Sequence, residues 1–229
     1  IGFDNKDNFI NVMKLCEGEM YTHLYMPEGT YYTSTQYNDS YLRVPSNTYW
    51  HNAATICQIP NKYSKSSLVL LDCVSNVTID GGRFVGDVKN HLGLDGEWGH
   101  GIKCSGAENI NLYNLECVEF WGDGVDLIEG KDIHGDISIN CKNVKLDNVK
   151  CLYNRRQGLS IEAASNVSIL NSEFAYTGMI ATTNPSAGVD IEPWQSNGPK
   201  IKCISFQNCL FHDNYGYDLH VVPNHLLSD

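Results

Sequence analysis

The chain has 229 residues, room for one domain with a substantial core. Twenty-seven acidic against sixteen basic residues leave a formal charge of −11, which argues against a nucleic-acid surface because no basic patch stands ready to neutralise phosphates. No run is long and apolar enough to span a membrane, so no membrane insertion is expected.

The first predicted element is a short helix. Residues 5–15 put Phe9, Ile10, Met13 and Leu15 on one helical face. Such a helix would cap the end of a stacked-strand body, whose open end exposes strand edges and core. Tyr25-Met26-Pro27-Glu28-Gly29-Thr30-Tyr31-Tyr32 reads as strand, turn, strand, and Leu42-Arg43-Val44-Pro45-Ser46-Asn47 opens the first coil. Residues 1–50 are thus expected to hold the cap and first strands, and residues 73–222 the regular coils, of a single 1–229 domain.

Two interleaved repeats run through that body. Strands of period two end at Asn or Gly in Val77-Thr78-Ile79-Asp80-Gly81, Ile110-Asn111-Leu112-Tyr113-Asn114 and Val144-Lys145-Leu146-Asp147-Asn148. They recur in Val167-Ser168-Ile169-Leu170-Asn171 and Ile204-Ser205-Phe206-Gln207-Asn208. Asn and Gly tolerate the left-handed backbone of a sharp corner, and amides stacked at one level can form a ladder. Short apolar strands follow the corners, as in Leu115-Glu116-Cys117-Val118. The second repeat is Gly101-Ile102-Lys103-Cys104-Ser105, Gly124-Val125-Asp126-Leu127-Ile128 and Gly158-Leu159-Ser160-Ile161-Glu162, then Gly188-Val189-Asp190-Ile191-Glu192 and Gly216-Tyr217-Asp218-Leu219-His220. Spacings of 23, 34, 30 and 28 residues are those of a solenoid. Three short strands and three corners per turn describe an all-β parallel β-helix. Inserts at 86–100, 129–136 and 179–186 leave the body as loops.

Nine cysteines leave at least one unpaired within the chain, and no Cys-x-x-Cys suggests structural zinc. Cys104, Cys117, Cys151 and Cys203 fall at apolar strand positions and are expected to be small buried hydrophobes. Asn76-Val-Thr and Asn166-Val-Ser match the glycosylation pattern but are read as corner residues.

With these segments in view, the chain resembles the pectin-lyase-like right-handed parallel β-helix superfamily. The helix, Tyr25-Met26-Pro27-Glu28-Gly29-Thr30-Tyr31 and Leu42-Arg43-Val44-Pro45-Ser46-Asn47 look like the start shared by bacterial polysaccharide-degrading enzymes and phage tailspikes. Gly96-Glu97-Trp98-Gly99 through Trp121-Gly122-Asp123-Gly124 is similar to the same group. The resemblance implies a polysaccharide partner, a secreted, extracellular or virion-surface setting and, for tailspikes, a homotrimer. It does not carry over a catalytic set. Gly99-His100-Gly101 and Ile102-Lys103 stand together ahead of Asp123, the Asn-Thr-Asp of polygalacturonase-type hydrolases is missing, and so is the Asp-Pro-His-Glu of alginate epimerases.

In the glycine repeat the first and third residues after Gly point inward and the second and fourth outward. The outward columns are Lys103, Asp126, Ser160, Asp190, Asp218 and Ser105, Ile128, Glu162, Glu192, His220. Stacked carboxylates repel, which raises at least one pKa and suits a general acid beside a general base. Glu162 and Asp190 are the expected acid/base pair, with Glu192 and Asp126 tuning or replacing them. Trp98, His100, Trp121, Asp123, Lys103, Arg155, Arg156 and Tyr176 are expected around the substrate, where aromatic faces and hydrogen-bonding groups suit sugars. The other readings are Trp98 and Trp121 as loop anchors, His100 as holding its loop, Asp123 as a turn cap, and Arg155 and Arg156 as partners of Glu162 or Asp126. No cofactor is required; the acids offer oxygen ligands for Ca2+ as an alternative, and a bare acidic face is another. A lyase or epimerase acting on uronates, using Lys103, Arg155 and Arg156, and a glycan-binding spike or adhesin without activity remain open beside the hydrolase.

Overall fold

The computed structural model describes residues 2–132, 134–193 and 201–222; the ends of the expected 1–229 domain and the segment 194–200 lie outside them. A helix spans Lys6–Cys16, with Asp7 in its first turn and Lys14 in its last, each favourable to the helix dipole. It buries Phe9, Met13 and Cys16 against the core. Leu15, expected on that face, is 78% exposed. The buried stripe runs Phe9, Met13, Cys16 at intervals of four and three, and Leu15 falls outside it.

The rest of the body is three parallel sheets, each of seven strands, visited in turn by every coil. The first sheet runs from Thr22–Met26 through Ser75–Asp80 and Glu108–Tyr113 to Lys202–Gln207. The second holds three- and four-residue strands from Thr30–Thr33 to Leu210–His212. The third holds the glycine strands Trp98–Ser105, Val125–Ile128, Gln157–Ile161 and Ala187–Ile191, preceded by Leu42–Arg43 and Lys65–Asp72 and followed by Leu219–Val221. The sheets therefore begin at Thr22, well before the periodicity becomes regular near residue 73. The early strands lack the glycine repeat, although Asn47, with φ +60, already marks a corner before Thr48–Asn52.

Registers are single and in line. Val77, Ile110, Val144, Val167 and Ile204 stack across the first sheet, and Ile102, Val125, Leu159 and Val189 across the third. Their inward side chains join one hydrophobic core running the length of the helix. The corner asparagines Asn114, Asn148, Asn171 and Asn208 all have positive φ. Asn148 donates to Asn114 at 3.0 Å and Asn208 to Asn171 at 3.3 Å, while Asn171 turns to Asp147 at 2.9 Å and Asn114 to Asp80 at 2.8 Å. A second ladder links Asn47, Asn76, Asn109, Asn143 and Asn166, each amide donating to the one before. Asn76 and Asn166 are thus corner residues engaged in the stack. Cys203 occupies the next rung of that ladder, with φ +54, so it points outward and is exposed, against expectation. Cys104, Cys117 and Cys151 are buried free thiols in the core.

The insert 129–136 is carried on a small antiparallel ribbon pairing Gly130–Lys131 with Ser138–Ile139. The first insert ends at residue 97, because Trp98 to His100 already belong to a strand of the third sheet. That shorter boundary brings Trp98 and His100 onto the sheet's outer face.

Candidate active site

The outer face of the third sheet carries the expected column for four rungs: Lys103 lies opposite Asp126, Asp126 opposite Ser160, and Ser160 opposite Asp190. The fifth rung is shifted by two. Asp190 faces His220, not Asp218, and His220 leaves the Glu192 column. The spacing is set by inward asparagines: Asn154 accepts from the Phe120 amide and Asn214 from the Thr177 amide, each at 3.0 Å. Four residues after Asn154 stands Gly158, and four after Asn214 stands Asp218, which therefore takes the glycine's place. The sequence Gly216-Tyr217-Asp218-Leu219 mimics the repeat two residues too early.

A further outward column precedes the glycines: His100, Asp123 and Gln157. Gln157 is missing from the expected site, although its place directly before Gly158 matches that of His100 before Gly101. These columns merge into one buried polar cluster. Asp123, fully buried, accepts from Ser160 Oγ at 3.0 Å and pairs with Arg156 Nη1 at 3.1 Å and with His100 Nδ1 at 3.2 Å. His100 Nε2 lies 3.6 Å from Asp126. Arg156 also donates to Gln157 Oε1 at 2.5 Å, approaches Glu162 at 3.9 Å and faces Glu97 at 3.6 Å. Gln157 in turn donates to Asp190 Oδ2 at 2.7 Å, and His220 Nδ1 holds Asp190 Oδ1 at 2.8 Å.

The electrostatics divide the carboxyls. Burial pushes Asp123 up, but Arg156 and His100 outweigh it and hold the group below the usual range. Burial raises Asp126 against the opposing pull of His100 and Lys103. Burial, reinforced by the charge of Asp126 and opposed by Arg156, pushes Glu162 up to about 9. Asp190 is raised by burial, with His220 opposing. Asp126 Oδ1, Glu162 Oε2 and His100 Nε2 are buried without a hydrogen-bond partner in the described structure. Glu192 follows Glu162 in line; it is half-buried, and its charge acts on Asp190.

Beside this cluster lies an open groove of about 370 Å³ lined by Lys65, Trp98, His100, Lys103, Ser105 and Ile128 among others. Lys65 Nζ stands 4.5 Å from the Trp98 ring centre. Trp98, His100 and Lys103 are thus brought together as expected, and Lys65 joins them from a strand with no sequence signal.

Four of the expected substrate residues are placed differently. Trp121 is held between His91, stacked at 4.0 Å, and the Arg155 guanidinium at 3.9 Å, and its Nε1 donates to Asp95 O at 3.3 Å. Arg155 also donates to Gly96 O at 2.8 Å, so both residues staple the 86–97 loop to the coil and are buried. Asp123 has no exposed surface and serves as the anchor of Arg156. Tyr176 stacks on Tyr153 at 4.7 Å at the corner after the second sheet, away from the carboxylate contacts. Among the described residues no group of three or more His, Cys, Asp or Glu is arranged to hold a metal ion, so the Ca2+ alternative gains no ligand set.

No family model matches the chain. It is 25% identical over 167 residues to the SPbeta prophage-derived protein YorA of Bacillus subtilis, a match covering 68% of this chain and 28% of that protein. Among solved structures it is similar to a protein of Parabacteroides merdae named as a candidate glycosyl hydrolase, at TM-score 0.63 and 15% identity over 91% of each chain. It is also similar to tailspike gp49 of Acinetobacter baumannii bacteriophage Fri1, a capsular polysaccharide depolymerase, at TM-score 0.61 and 15% identity, covering 89% of this chain and 36% of that one. A third likeness is to the A-module of the Azotobacter vinelandii mannuronan C-5 epimerase AlgE6, at TM-score 0.55 and 12% identity, covering 96% and 69%. At these identities the likeness speaks for architecture alone, and together with the three stacked parallel sheets it shows a right-handed parallel β-helix.

Proposed function

We propose that the chain binds a polysaccharide along the third sheet and hydrolyses its glycosidic bonds, with Glu162 as general acid and Asp126 as general base. One observation carries this: two neighbouring buried carboxyls have different surroundings, Glu162 raised with a like charge beside it and Asp126 with cations set against its burial. Glu162, pushed up to about 9 by burial and by the charge of Asp126, keeps its proton near neutral pH; Asp126 is also raised by burial, with His100 and Lys103 pulling it back toward the ionised form. Environments that drive two carboxyls apart are the condition for acid and base in one site. Asp126 pairs with Ser160, and Glu162 follows Ser160 by two residues, so the two carboxyls are diagonal neighbours on adjacent strands. Diagonal positions lie about 7–8 Å apart, within the span of about 6.5–9.5 Å that admits a water in an inverting enzyme.

In the step, Glu162 gives its proton to the glycosidic oxygen as the bond to the anomeric carbon breaks. A water, losing a proton to Asp126, adds to that carbon from the opposite face, and solvent restores both groups. Asp190, expected as the partner of Glu162, is instead assigned a positioning role, because Gln157 and His220 engage both its oxygens. Glu192 remains a charge beside it. The polysaccharide-acting tailspike and the candidate hydrolase among the similar folds support the substrate class. A setting outside the cell or on a virion surface goes with that reading.

A binding-only protein is the second reading, and it is favoured by burial: Glu162 is 6% and Asp126 1% exposed, so neighbouring side chains must yield before a sugar reaches them. The test is incubation with neutral, uronate-containing and bacterial-surface polysaccharides, following reducing ends and the absorbance of unsaturated uronates together. Reducing ends without absorbance support hydrolysis. Both signals together indicate a lyase, and glycan binding with neither signal favours the binding-only protein.

A further inference from the structure

The same face carries a second groove, of about 550 Å³, at the last described coil, lined by Asn184, Pro185, Tyr215, Gly216, Tyr217 and His220. We infer that this groove is a sugar-ring subsite remote from the reacting bond, with Tyr217 and His220 as its aromatic floor and Asp190 as the positioning residue beneath them. The inference rests on the polysaccharide reading above.

The floor is built. The Tyr217 and His220 rings stack at 4.7 Å and 17°. Asp190, 2% exposed, accepts His220 Nδ1–H at 2.8 Å, and its other oxygen is held by Gln157 at 2.7 Å. A carboxylate bound to one ring nitrogen fixes the tautomer and orientation and leaves Nε2 for another partner. Tyr215 and Tyr217 are 68% and 54% exposed beside the groove. Exposed rings grouped in a concavity with a few oriented polar atoms suit a ligand that has both apolar faces and hydroxyls, which describes a pyranose.

Position adds the second argument. From the Trp98–Ser105 strand to Leu219–Val221 is four steps across the sheet, about 19 Å at about 4.8 Å per step. The strands of Asp126 and Glu162 are the first and second of those steps. A polymer that fills both grooves therefore crosses the carboxyl pair, whereas a disaccharide reaches only one of them. The site then selects long chains and cuts within them.

The test uses the whole chain in affinity electrophoresis through gels containing, one at a time, polygalacturonate, alginate, a neutral β-glucan and a bacterial capsular polysaccharide. Wild-type protein is expected to be retarded by at least one gel. Tyr217→Ala and His220→Ala should each weaken that binding about tenfold, while Tyr153→Ala, a stacked tyrosine at another corner, should leave it unchanged. Asp190→Asn, which can still accept from Nδ1, should stay within about twofold, and Asp190→Ala should match His220→Ala. Melting curves identify any variant that fails to fold, and Tyr217, standing on the surface, keeps the test valid if Asp190→Ala does fail. Retardation of wild type with Tyr217→Ala and His220→Ala unchanged overturns the subsite but leaves the hydrolase reading to the reducing-end assay. No retardation of wild type in any gel overturns the subsite as well. Reducing ends released with equal efficiency from disaccharides and long chains would also contradict it.

Discussion

The outer faces of the first and third sheets solve one stacking problem in opposite ways. Along the first sheet, Asn47, Asn76, Asn109, Asn143 and Asn166 lie one above another, and each amide donates to its neighbour at 2.9–3.1 Å. An amide carries both donor and acceptor, so identical residues on consecutive rungs satisfy one another. Along the third sheet carboxyls recur across the face, Asp126 and Asp190 on either side of Ser160 and Glu162 before Glu192, and they only accept when ionised and repel when alike. That face draws in Arg156, Gln157, Ser160 and His100, and still leaves Asp126 Oδ1 and Glu162 Oε2 without partners. The ladder is what a repeat does when only stability is at stake. Burial pushes the Glu162 carboxyl up to about 9, and under the proposed reading that raised acid is what separates a site from a scaffold.

Substitutions can break this contrast in graded ways. The largest effect is expected for Glu162→Gln, where hydrolysis should fall about 10²–10⁴-fold, read as reducing ends per minute. The same variant should gain stability at alkaline pH. The folded-state pKa of Glu162 is raised, so its contribution is fully present below the ordinary value of 4.5 and is lost as pH rises toward about 9. Wild-type melting temperature should therefore fall across that window more than the variant's. Equal pH dependence of the two would sink the idea of a protonated Glu162.

Next in size is Arg156→Met, which leaves the buried, ionised Asp123 without its main partner. Urea denaturation should show a loss of about 3–5 kcal/mol; a loss under about 1 kcal/mol would mean that the cluster is not held by this ion pair. Smaller again is Asn109→Ala in the amide ladder, which removes two hydrogen bonds and a residue suited to φ +56. A loss of about 1–2 kcal/mol is expected, without change in activity. Asn109→Gly should recover part of that loss because glycine accepts the backbone; identical melting temperatures for the two variants would remove backbone conformation from the account.

Much of the β-helix was legible because its signals are local. Period two marked the strands, positive-φ residues such as Asn114 and Asn148 marked the corners, and the glycine repeat aligned Lys103, Asp126, Ser160 and Asp190 on one face. What escaped depends on counts through corners and on partners far apart in the chain. His220 reached Asp190 only because Asn214, not Gly216, sets the last register. Trp121 reads equally as a loop anchor or a substrate contact, and Arg155 as an ion-pair or sugar partner, since nothing in their sequence neighbourhood tells that His91 and the 86–97 loop close over them. Lys65 entered the groove from a strand too plain to notice. The column His100, Asp123, Gln157 was present in the repeat and could have been read one residue before each glycine.

The account turns on the state of one carboxyl. Carbon-13 NMR titration of protein labelled at the glutamate side-chain carboxyl, with Glu162→Gln supplying the assignment, measures it directly. A Glu162 resonance that stays protonated through neutral pH and titrates near 9 is the predicted result. Titration near the ordinary 4.5 would contradict the acid role and return the cluster to a buried ion-pair network under a binding face.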